Sequence, residues 1–411
     1  MADSTQTPAR MPGNVWVVSA TSFLTDVSSE MVFNLLPLFL ANVLGAKTVT
    51  IGLVEGVAES TASLVKLASG YYSDMWRSRK WPSVAGYGIS AIAKVFFLFA
   101  TNWWIVAAVR WADRVGKGVR TAPRDALIAD SIDIRQRGRA FGIHRAADSA
   151  GAVAGLLIAA AVIGLVSGGT AALDATAFQS VVLVSLVPAL LAVVVLAAFA
   201  KETVNARTPN STNPSFKSLG RPFWAFLLAA AVFGLGNSSD AFLILRVQER
   251  GLGIIGILVL LSGFNVVNSI VSLYAGALSD RIGRFKVLAC GWLAYAAIYA
   301  GFALSGSTAA TCALFLIYGV YHGLTDGVTR AFLADLVNPE LRGSAYGVYH
   351  GVIGIIHLPA SLLAGLFWGG WGEWDGFGAA APFLFGSAMA LAATGLLFAM
   401  RIAYKPHMQP S

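Results

Sequence analysis

Long apolar runs alternate with short polar segments along the whole chain. A helix of about 20 apolar residues crosses the roughly 30 Å hydrocarbon core of a bilayer, and runs of that length recur throughout. Because lipid offers backbone groups no hydrogen-bond partner, each run is predicted to be a helix, and the sequence lacks the alternation typical of a transmembrane barrel. The expected fold class is an all-α polytopic membrane protein with about 12 transmembrane helices. The predicted spans are 15–40, 50–73, 83–102, 103–125, 140–165, 178–200, 222–248, 253–278, 286–306, 309–330, 343–367 and 379–402.

Composition and charge agree with this class. The chain is 56% hydrophobic and 12% charged, so a soluble fold would expose large apolar areas. Most of the net charge of +8 comes from Lys and Arg after every second predicted helix, with Arg246 and Arg250 as the exception. The positive-inside rule then places both termini in the cytoplasm and predicts a multi-pass protein of the cytoplasmic (inner) membrane. Since topology accounts for the basic excess, no nucleic-acid partner is expected.

The sequence contains an internal repeat. The segment Arg137-Gly-Arg-Ala-Phe-Gly142 returns 205 residues later as Arg342-Gly-Ser-Ala-Tyr-Gly347, and Asp74 and Asp280 lie 206 residues apart in similar loops. A repeat of half the chain length predicts two related units. We therefore expect two pseudo-symmetric halves of six helices, 1–200 and 222–411, joined by a polar cytoplasmic linker over 201–221.

Two six-helix halves, a central linker and a charged loop after the second helix of each half resemble the major facilitator superfamily of secondary transporters. The most specific element is Gly276-Ala-Leu-Ser-Asp-Arg-Ile-Gly-Arg284, a nearly complete copy of the superfamily's loop motif. In the first half, Met75 and Ser78 replace the Arg and Gly of that motif. The resemblance implies alternating access, with these loops holding the halves together on the cytoplasmic face. The expected gating residues are Asp74, Arg77, Asp280, Arg281 and Arg284.

Predicted helix 4 carries charges at positions that lipid would exclude. Its uninterrupted apolar run covers only 103–109, which is too short to cross, so its charged part is predicted to lie inside the bilayer. Arg110, Asp113, Arg114 and Lys117 recur at steps of 3 and 4 and share one helical face, which must look into protein or water. The first half is expected to enclose further charges on helices 1, 2 and 5. These are Asp26, Glu30, Glu55, Glu59, Lys66, His144, Arg145 and Asp148.

Buried ions are costly without partners, so ion pairs such as Asp113 with Arg145 and Arg114 with Asp148 are expected. Lys66 and Lys94 have long stems that can snorkel, and both are expected to be structural charges that fix helix register. Burial disfavours the charged form of a carboxylate, so acids at this depth can load and release protons as a site alternates between faces. The candidates for proton coupling are Asp26, Glu30, Asp113 and Asp148, with Asp26 or Glu30 as the first choice.

The second half has fewer interior charges. Ser238-Ser-Asp240 echoes Ser28-Ser-Glu30, which makes Asp240 a candidate for the rim of a central cavity. At the 205-residue offset His322 falls on Lys117 and His350 on Arg145, so both histidines are expected to face a cavity. The basic groups favour an anionic or zwitterionic solute. The expected substrate contacts are Arg110, Arg114, Arg145, Asp240, Tyr321, His322, Tyr349 and His350.

Together these expectations describe a secondary transporter that moves a small organic solute by alternating access, coupled to protons. An exporter of drugs or lipophilic cations stays open, because the helix 1 acids and an aromatic content of 11% suit such a substrate. A lysolipid flippase and a non-transporting sensor are further alternatives on the same fold. The expected partners are a small-molecule substrate, protons and the lipid bilayer, and the chain is expected to be a monomer.

Motifs of other function classes are incomplete. Val115-Gly-Lys-Gly118 lacks the spacing of a phosphate-binding loop. His350 and His357 stand seven residues apart without a Cys or carboxylate cluster, a weak pattern for metal ligands. The residue arrangements of a Ser/His/Asp hydrolase or a His-Glu-x-x-His protease are missing from the sequence. We therefore expect a protein that is not an enzyme, holds no metal and needs no cofactor.

Overall fold

Long helices account for nearly all of the fold. The computed structural model describes residues 11–75, 78–133, 136–167, 173–203, 219–338 and 341–404, and within these ranges no β-strand occurs. The 12 helices confirm the predicted fold class, each within a few residues of a predicted span. They are α1 (Gly13–Val43), α2 (Thr48–Met75), α3 (Lys80–Phe99), α4 (Trp103–Asp130), α5 (Arg137–Ser167), α6 (Ala175–Phe199), α7 (Gly220–Glu249), α8 (Ile254–Ile282), α9 (Arg284–Leu304), α10 (Thr308–Asp335), α11 (Arg342–Gly369) and α12 (Ala381–Tyr404).

Charge content separates two helices from the other ten. Ten of the described helices are long and apolar enough to cross a membrane. The exceptions are α2 and α4, which carry the charges that the sequence places inside the bilayer. Arg110, Asp113 and Arg114 of α4 are only 5%, 1% and 6% exposed. Helix α4 therefore buries these three charges against protein, as predicted from their spacing on one face.

Helix packing repeats between the halves. In the first half α1 packs against α5 and α6, and in the second half α7 packs against α11 and α12. Likewise α4 contacts α2 and α3, while α10 contacts α8 and α9. A loop contact repeats too: Arg137 Nε donates to the Ala129 carbonyl at 3.2 Å, and Arg342 Nε donates to the Ala334 carbonyl at 3.3 Å. The internal repeat of the sequence is thus a repeat of the structure. The predicted linker 201–221 falls mainly on 204–218, which lie outside the described residues.

The halves meet along two helix pairs, α2 with α11 and α5 with α8. We call the end of the bundle where α1 begins and α12 ends the terminal end, and the opposite end the far end. At the far end, Thr48 Oγ1 donates to the Gly365 carbonyl at 2.9 Å. A Cβ at Gly52 would collide with the carbonyl oxygen of Ser361. Small residues therefore let the two backbones come close there.

The first helix of each half is interrupted, which corrects the continuous helices predicted over 15–40 and 222–248. In α1 the regular helix ends at Phe33, and short turns follow to Val43. In α7 it ends at Gly236 and resumes at Ala241. Pro37 lacks an N–H for a continuing helix, and the polar side chains of 237–240 compete with backbone hydrogen bonds. Because such backbone occurs at membrane depth only inside protein or beside a water-filled cavity, both breaks point to an interior site.

Candidate functional site

A polar cavity of about 360 Å³ lies between the halves, beside both helix breaks. Pockets for small ligands span roughly 300–1,000 Å³, so this volume suits a small solute. The first half contributes side chains of α1, α2 and α4, and the second half contributes those of α7, α10 and α11. The lining includes Glu30, Phe33, Asn34, Glu55, Glu59, Arg110, Arg114, Lys117, Asn237, Asp240, Tyr318, His322, His357 and Ser361.

Two ion pairs join α2 to α4 in the wall of this cavity. Arg110 Nη2 lies 2.7 Å from Glu55 Oε2, and Arg114 Nη1 lies 3.2 Å from Glu59 Oε1. The two acids are one helical turn apart, as are the two bases, so the helical period places both pairs in register. The side chains of Arg110, Arg114 and Glu55 are 5–7% exposed, whereas that of Glu59 is 37% exposed. Glu59 is thus the accessible acid of this wall.

The ring of Phe33 gathers three cations. The guanidinium carbons of Arg110 and Arg114 lie 4.3 and 5.3 Å from the ring centroid, and Lys94 Nζ lies 5.4 Å away. Lys94 is 1% exposed and donates to both hydroxyls of Ser28–Ser29, at 2.8 and 3.0 Å. The long stem of Lys94 therefore does not snorkel, because hydroxyls and an aromatic face hold its ammonium inside the first half.

The opposite wall is built on hydrogen bonds and aromatic rings. The Tyr318 hydroxyl donates to Asp240 Oδ1 at 3.1 Å, and His322 Nε2 lies 3.3 Å from the same hydroxyl. Tyr321 stacks behind Tyr318, with 5.6 Å between ring centroids, and is 6% exposed. The second half therefore presents a carboxylate, a phenol and an imidazole to the cavity.

The four proton-coupling candidates occupy different places. Glu30 lines the central cavity, where Asn34 Nδ2 donates to its Oε2 at 2.7 Å. Asp26 lies one turn nearer the terminal end, where α1 crosses α5 closely. Asp113 is buried 3.8 Å from Arg114 Nε, and Asp148 Oδ2 lies 3.6 Å from His144 Nε2. Only Glu30 of the four lines the central cavity in the described part of the chain.

The expected ion pairs of Asp113 with Arg145 and of Arg114 with Asp148 are wrong. Arg114 pairs with Glu59 instead, and Arg145 Nη2 lies 3.8 Å from Asp326 Oδ2 in the other half. The reason is helix order: α5 packs against α1 and scarcely touches α4. Charges on α4 and α5 therefore face different neighbours.

The predicted substrate contacts divide into three groups. Arg110, Arg114, Asp240 and His322 line the central cavity. Arg145 lines a second cavity of about 580 Å³ between α5, α8 and α10 at the terminal end. The third group lies away from the central lining and packs against neighbouring rings. It consists of Tyr321, Tyr349 and His350.

Other lining residues were not among the predicted contacts. Glu59 and Lys117 were recognised as interior charges but not as substrate contacts. The signal for Glu59 was available, because the spacing of the α2 acids matches that of the α4 bases. Phe33 and Asn34 could not be found without knowing where α1 breaks. His357 also lines the cavity, and within the described ranges no group of three His, Cys, Asp or Glu side chains is placed to hold a metal.

The loops after α2 and α8 show the repeat in their ion pairs. Arg284 Nη2 lies 3.2 Å from Asp280 Oδ1, and its Nη1 lies 2.6 Å from Asp335 Oδ1. At the same 205-residue offset in the first half, Arg79 Nε lies 3.4 Å from Asp130 Oδ2. Arg79 is therefore the first-half counterpart of Arg284.

The remaining predicted gating residues are Arg281, Arg77 and Asp74. Arg281 is exposed at the end of α8. Arg77 and the side chain of Asp74 lie outside the described residues.

Comparisons with known proteins give one consistent match. The family model of the Major Facilitator Superfamily matches residues 18–360 and 251–410. An uncharacterized MFS-type transporter of Methanocaldococcus jannaschii is 34% identical over 391 residues, covering 93% of this chain and 94% of that protein. A variant of the peptide transporter POT superposes with a TM-score of 0.79 at 11% identity, over 97% of this chain and 96% of that one. A bacterial homolog of the human lysosomal transporter Spinster, inward-facing and occupied, gives 0.76 at 16% identity over 97% of both chains. At these identities the two solved structures show the fold alone.

Proposed function

Because this chain belongs to the major facilitator superfamily, we propose that it moves a small zwitterionic or anionic organic solute by alternating access, coupled to protons. The observation that carries the proposal is the central cavity, which is small, lies between the halves and presents charges of both signs. Such a site favours the binding of a solute whose charged groups complement those of the cavity wall.

The unpaired charges of the cavity favour a zwitterion. Glu30, Lys117 and Asp240 line it, and in the described part of the chain none of them has an oppositely charged side chain within 4.0 Å. A bound amino group would complement the carboxylates, and a bound carboxylate would complement Lys117 and the neighbouring Arg114. Each new pair would reduce the cost of holding a charge at this depth.

Alternating access is supported by the different contacts at the two ends of the bundle. At the far end, the backbones of α2 and α11 pack closely through Gly52 and Gly365. At the terminal end, the cavity of about 580 Å³ lies between α5 and α8. With the basic loops assigned to the cytoplasmic side by the positive-inside rule, we infer an inward-facing state from this arrangement. Rocking of the halves about α2, α5, α8 and α11 would then open the far end.

Glu30 is our proposed proton carrier, with Asp26 as its partner. Glu30 borders the solute cavity, and Asp26 lies one turn nearer the terminal end on the same helix. A proton released from Glu30 towards the cytoplasm would therefore pass Asp26. Carboxylates inside membrane proteins commonly serve such relays.

The first test is the melting temperature of the purified protein with a panel of amino acids, organic acids, amines and lipophilic cations. A ligand that binds only the folded protein raises the melting temperature. We expect amino acids or organic acids to raise it, and proton-driven uptake of the same solute into proteoliposomes to fail in Glu30→Gln. Glu373→Gln changes an exposed loop acid and serves as the control. Unchanged proton-driven uptake in Glu30→Gln would remove Glu30 from the mechanism.

An exporter of lipophilic cations is the second candidate. It is favoured by the unpaired carboxylates of Glu30 and Asp240 and by the rings of Phe33 and Tyr318 in the same lining, since aromatic faces attract cations. Stabilisation by tetraphenylphosphonium that is lost in Glu30→Gln, with no effect of amino acids or organic acids, would establish this candidate instead.

A further inference from the structure

We propose that Glu59 is a built-in competitor of the solute: when no solute is bound it holds the carboxylate subsite on Arg114, and a solute carboxylate displaces it. The inference rests on the proposed function and specifies the group that the first half recognises. It assigns Glu59 a role opposite to that of Glu55, although both acids pair with α4 arginines.

The two acids differ in how firmly they are held. Glu55 makes the shorter contact, 2.7 Å to Arg110, and its side chain is 5% exposed. Glu59 lies 3.2 Å from Arg114 and 3.9 Å from Arg110, and its side chain is 37% exposed. Solvent can replace the partner of the accessible Glu59 carboxylate, whereas breaking the pair of the buried Glu55 would leave its charge uncompensated. Glu59 can therefore leave its partner at low cost, whereas Glu55 cannot.

Arg114 is equipped to receive another carboxylate. A guanidinium has five N–H donors in a planar fork and binds carboxylates through two parallel hydrogen bonds. In this structure Arg114 Nη1 faces Glu59, whereas the buried Nε lies 3.8 Å from Asp113 Oδ2 and makes no hydrogen bond. The guanidinium is also fixed against the Phe33 ring, 5.3 Å from its centroid. The Arg114 guanidinium is thus held in a fixed orientation, and its Nε–H donates no hydrogen bond.

Exchange of one carboxylate for another preserves the charge balance of the wall. A solute carboxylate on Arg114 would leave no buried cation unpaired, and Lys117, one turn further along α4, would supply a second cation from the same lining. The displaced Glu59 would remain in the polar cavity. A solute without an acidic group would not displace it, so Glu59 would also select against simple amines.

A matched set of probes tests the displacement. Leucine carries both charged groups, isocaproate is its analogue without the amino group, and isoamylamine is its analogue without the carboxylate. We expect Glu59→Gln to bind leucine and isocaproate about tenfold more tightly than the unmodified protein, because the competing charge is gone. Isoamylamine should not gain. Affinities would be obtained from the concentration dependence of the melting temperature.

Glu55→Gln is the control inside the same wall. It removes the buried partner of Arg110, so it should lower the melting temperature without tightening the binding of either acid probe. If Glu59 instead serves to hold Arg114 in place, Glu59→Gln will bind leucine and isocaproate no better than the unmodified protein, or worse. That result overturns the inference and leaves the proposed function standing.

Two further outcomes are distinguishable. If the unmodified protein and Glu59→Gln both bind isoamylamine but neither acid probe, the proposed solute class falls and the inference falls with it. If Glu59→Gln does not fold, Glu59→Ala is measured with the same probes, and tighter binding of the acids supports displacement. Failure of both variants to fold would show that Glu59 is structural and overturns the inference.

Discussion

Arg145 of α5 and Asp326 of α10 face each other across the boundary between the halves, with Arg145 Nη2 3.8 Å from Asp326 Oδ2. Asp326 also lies 4.0 Å from His322 Nδ1 and 3.8 Å from Arg330 Nη2. Because His322 lines the central cavity, the Asp326 carboxylate lies between a residue of that cavity and Arg145 of the other half.

Asp326→Asn should weaken this contact only modestly. The side chains of Arg145 and Asp326 are 53% and 43% exposed, and such pairs contribute about 1 kcal/mol or less, so we expect populations to shift by no more than about fivefold. The pair is 3.8 Å apart while the terminal end is open and would tighten when that end closes. Its loss should therefore leave the terminal ends of the halves separated in a larger fraction of molecules. Distances between spin labels at Phe199 and Ile402, both exposed near that end, would measure the change.

The double variant Arg145→Gln with Asp326→Asn supplies the control. If the two residues act through one another, the double variant should behave like the single Asp326→Asn variant. Additive shifts would show that the residues act independently.

Gly52→Val should shift the protein towards the state that is open at the far end. A side chain at Gly52 meets the Ser361 carbonyl, and overpacking a close contact costs about 1–3 kcal/mol. Spin labels at Thr176 and Leu304, which report on the far end, should move apart, while labels at Phe199 and Ile402 should approach. Gly88→Val is the matched control, since no atom lies within 4 Å of a Cβ there. Equal effects of the two variants would contradict the role of close packing.

Arg246→Ala should destabilise the protein by about 3 kcal/mol, because it leaves buried polar groups without partners. Arg246 is 1% exposed; its Nε and Nη2 each donate at 3.0 Å to the carbonyls of Phe302 and Ala303. These carbonyls end α9, where a helix lacks internal donors. A denaturation series in detergent would measure the loss. Arg246→Lys keeps the charge but loses the planar guanidinium, so its stability should lie between those of the unmodified protein and Arg246→Ala. An unchanged denaturation midpoint in Arg246→Ala would refute the argument.

Arg246 also shows what the charge pattern of a sequence can and cannot predict. From the sequence it was an exception to the positive-inside rule, and the structure explains the exception by burial against the end of α9. The sequence predicted the twelve spans, the repeat and the charged face of α4 that points into the protein. These features follow from periodicity within one helix or from similarity between segments. Neither periodicity nor segment similarity shows which residues on different helices contact each other.

The ion pairs illustrate this limit. Arg145 was expected to pair with Asp113 inside the first half, yet α5 scarcely touches α4 and Arg145 pairs with the second half. The break in α7 falls on 237–240, although the matching Ser28-Ser-Glu30 of α1 lies within a regular helix. The long stem of Lys94 could carry its charge to the surface, and only the position of Ser28 and Phe33 around it shows that the charge stays inside. Each of these contacts is set by how helices dock.

Lys94→Met should leave the protein at least as stable as before and should strongly reduce coupled transport. Among the described residues, Lys94 has no carboxylate within 4.0 Å, although it is 1% exposed. A buried charge that lacks an ionic partner is costly, and a methionine of similar length fills the same space without that cost. We therefore expect an equal or higher melting temperature.

Loss of transport in a stable Lys94→Met variant would separate function from folding. Lys94 shares the Phe33 ring with Arg110 and Arg114, so its charge acts on the arginines of the cavity wall. Proton-driven uptake into proteoliposomes should fall at least about tenfold, which corresponds to 1.4 kcal/mol. Lys94→Arg keeps a cation on the ring and should retain part of the activity. A large drop in melting temperature for Lys94→Met would show instead that the hydrogen bonds to Ser28–Ser29 stabilise the fold more than burial of the charge costs.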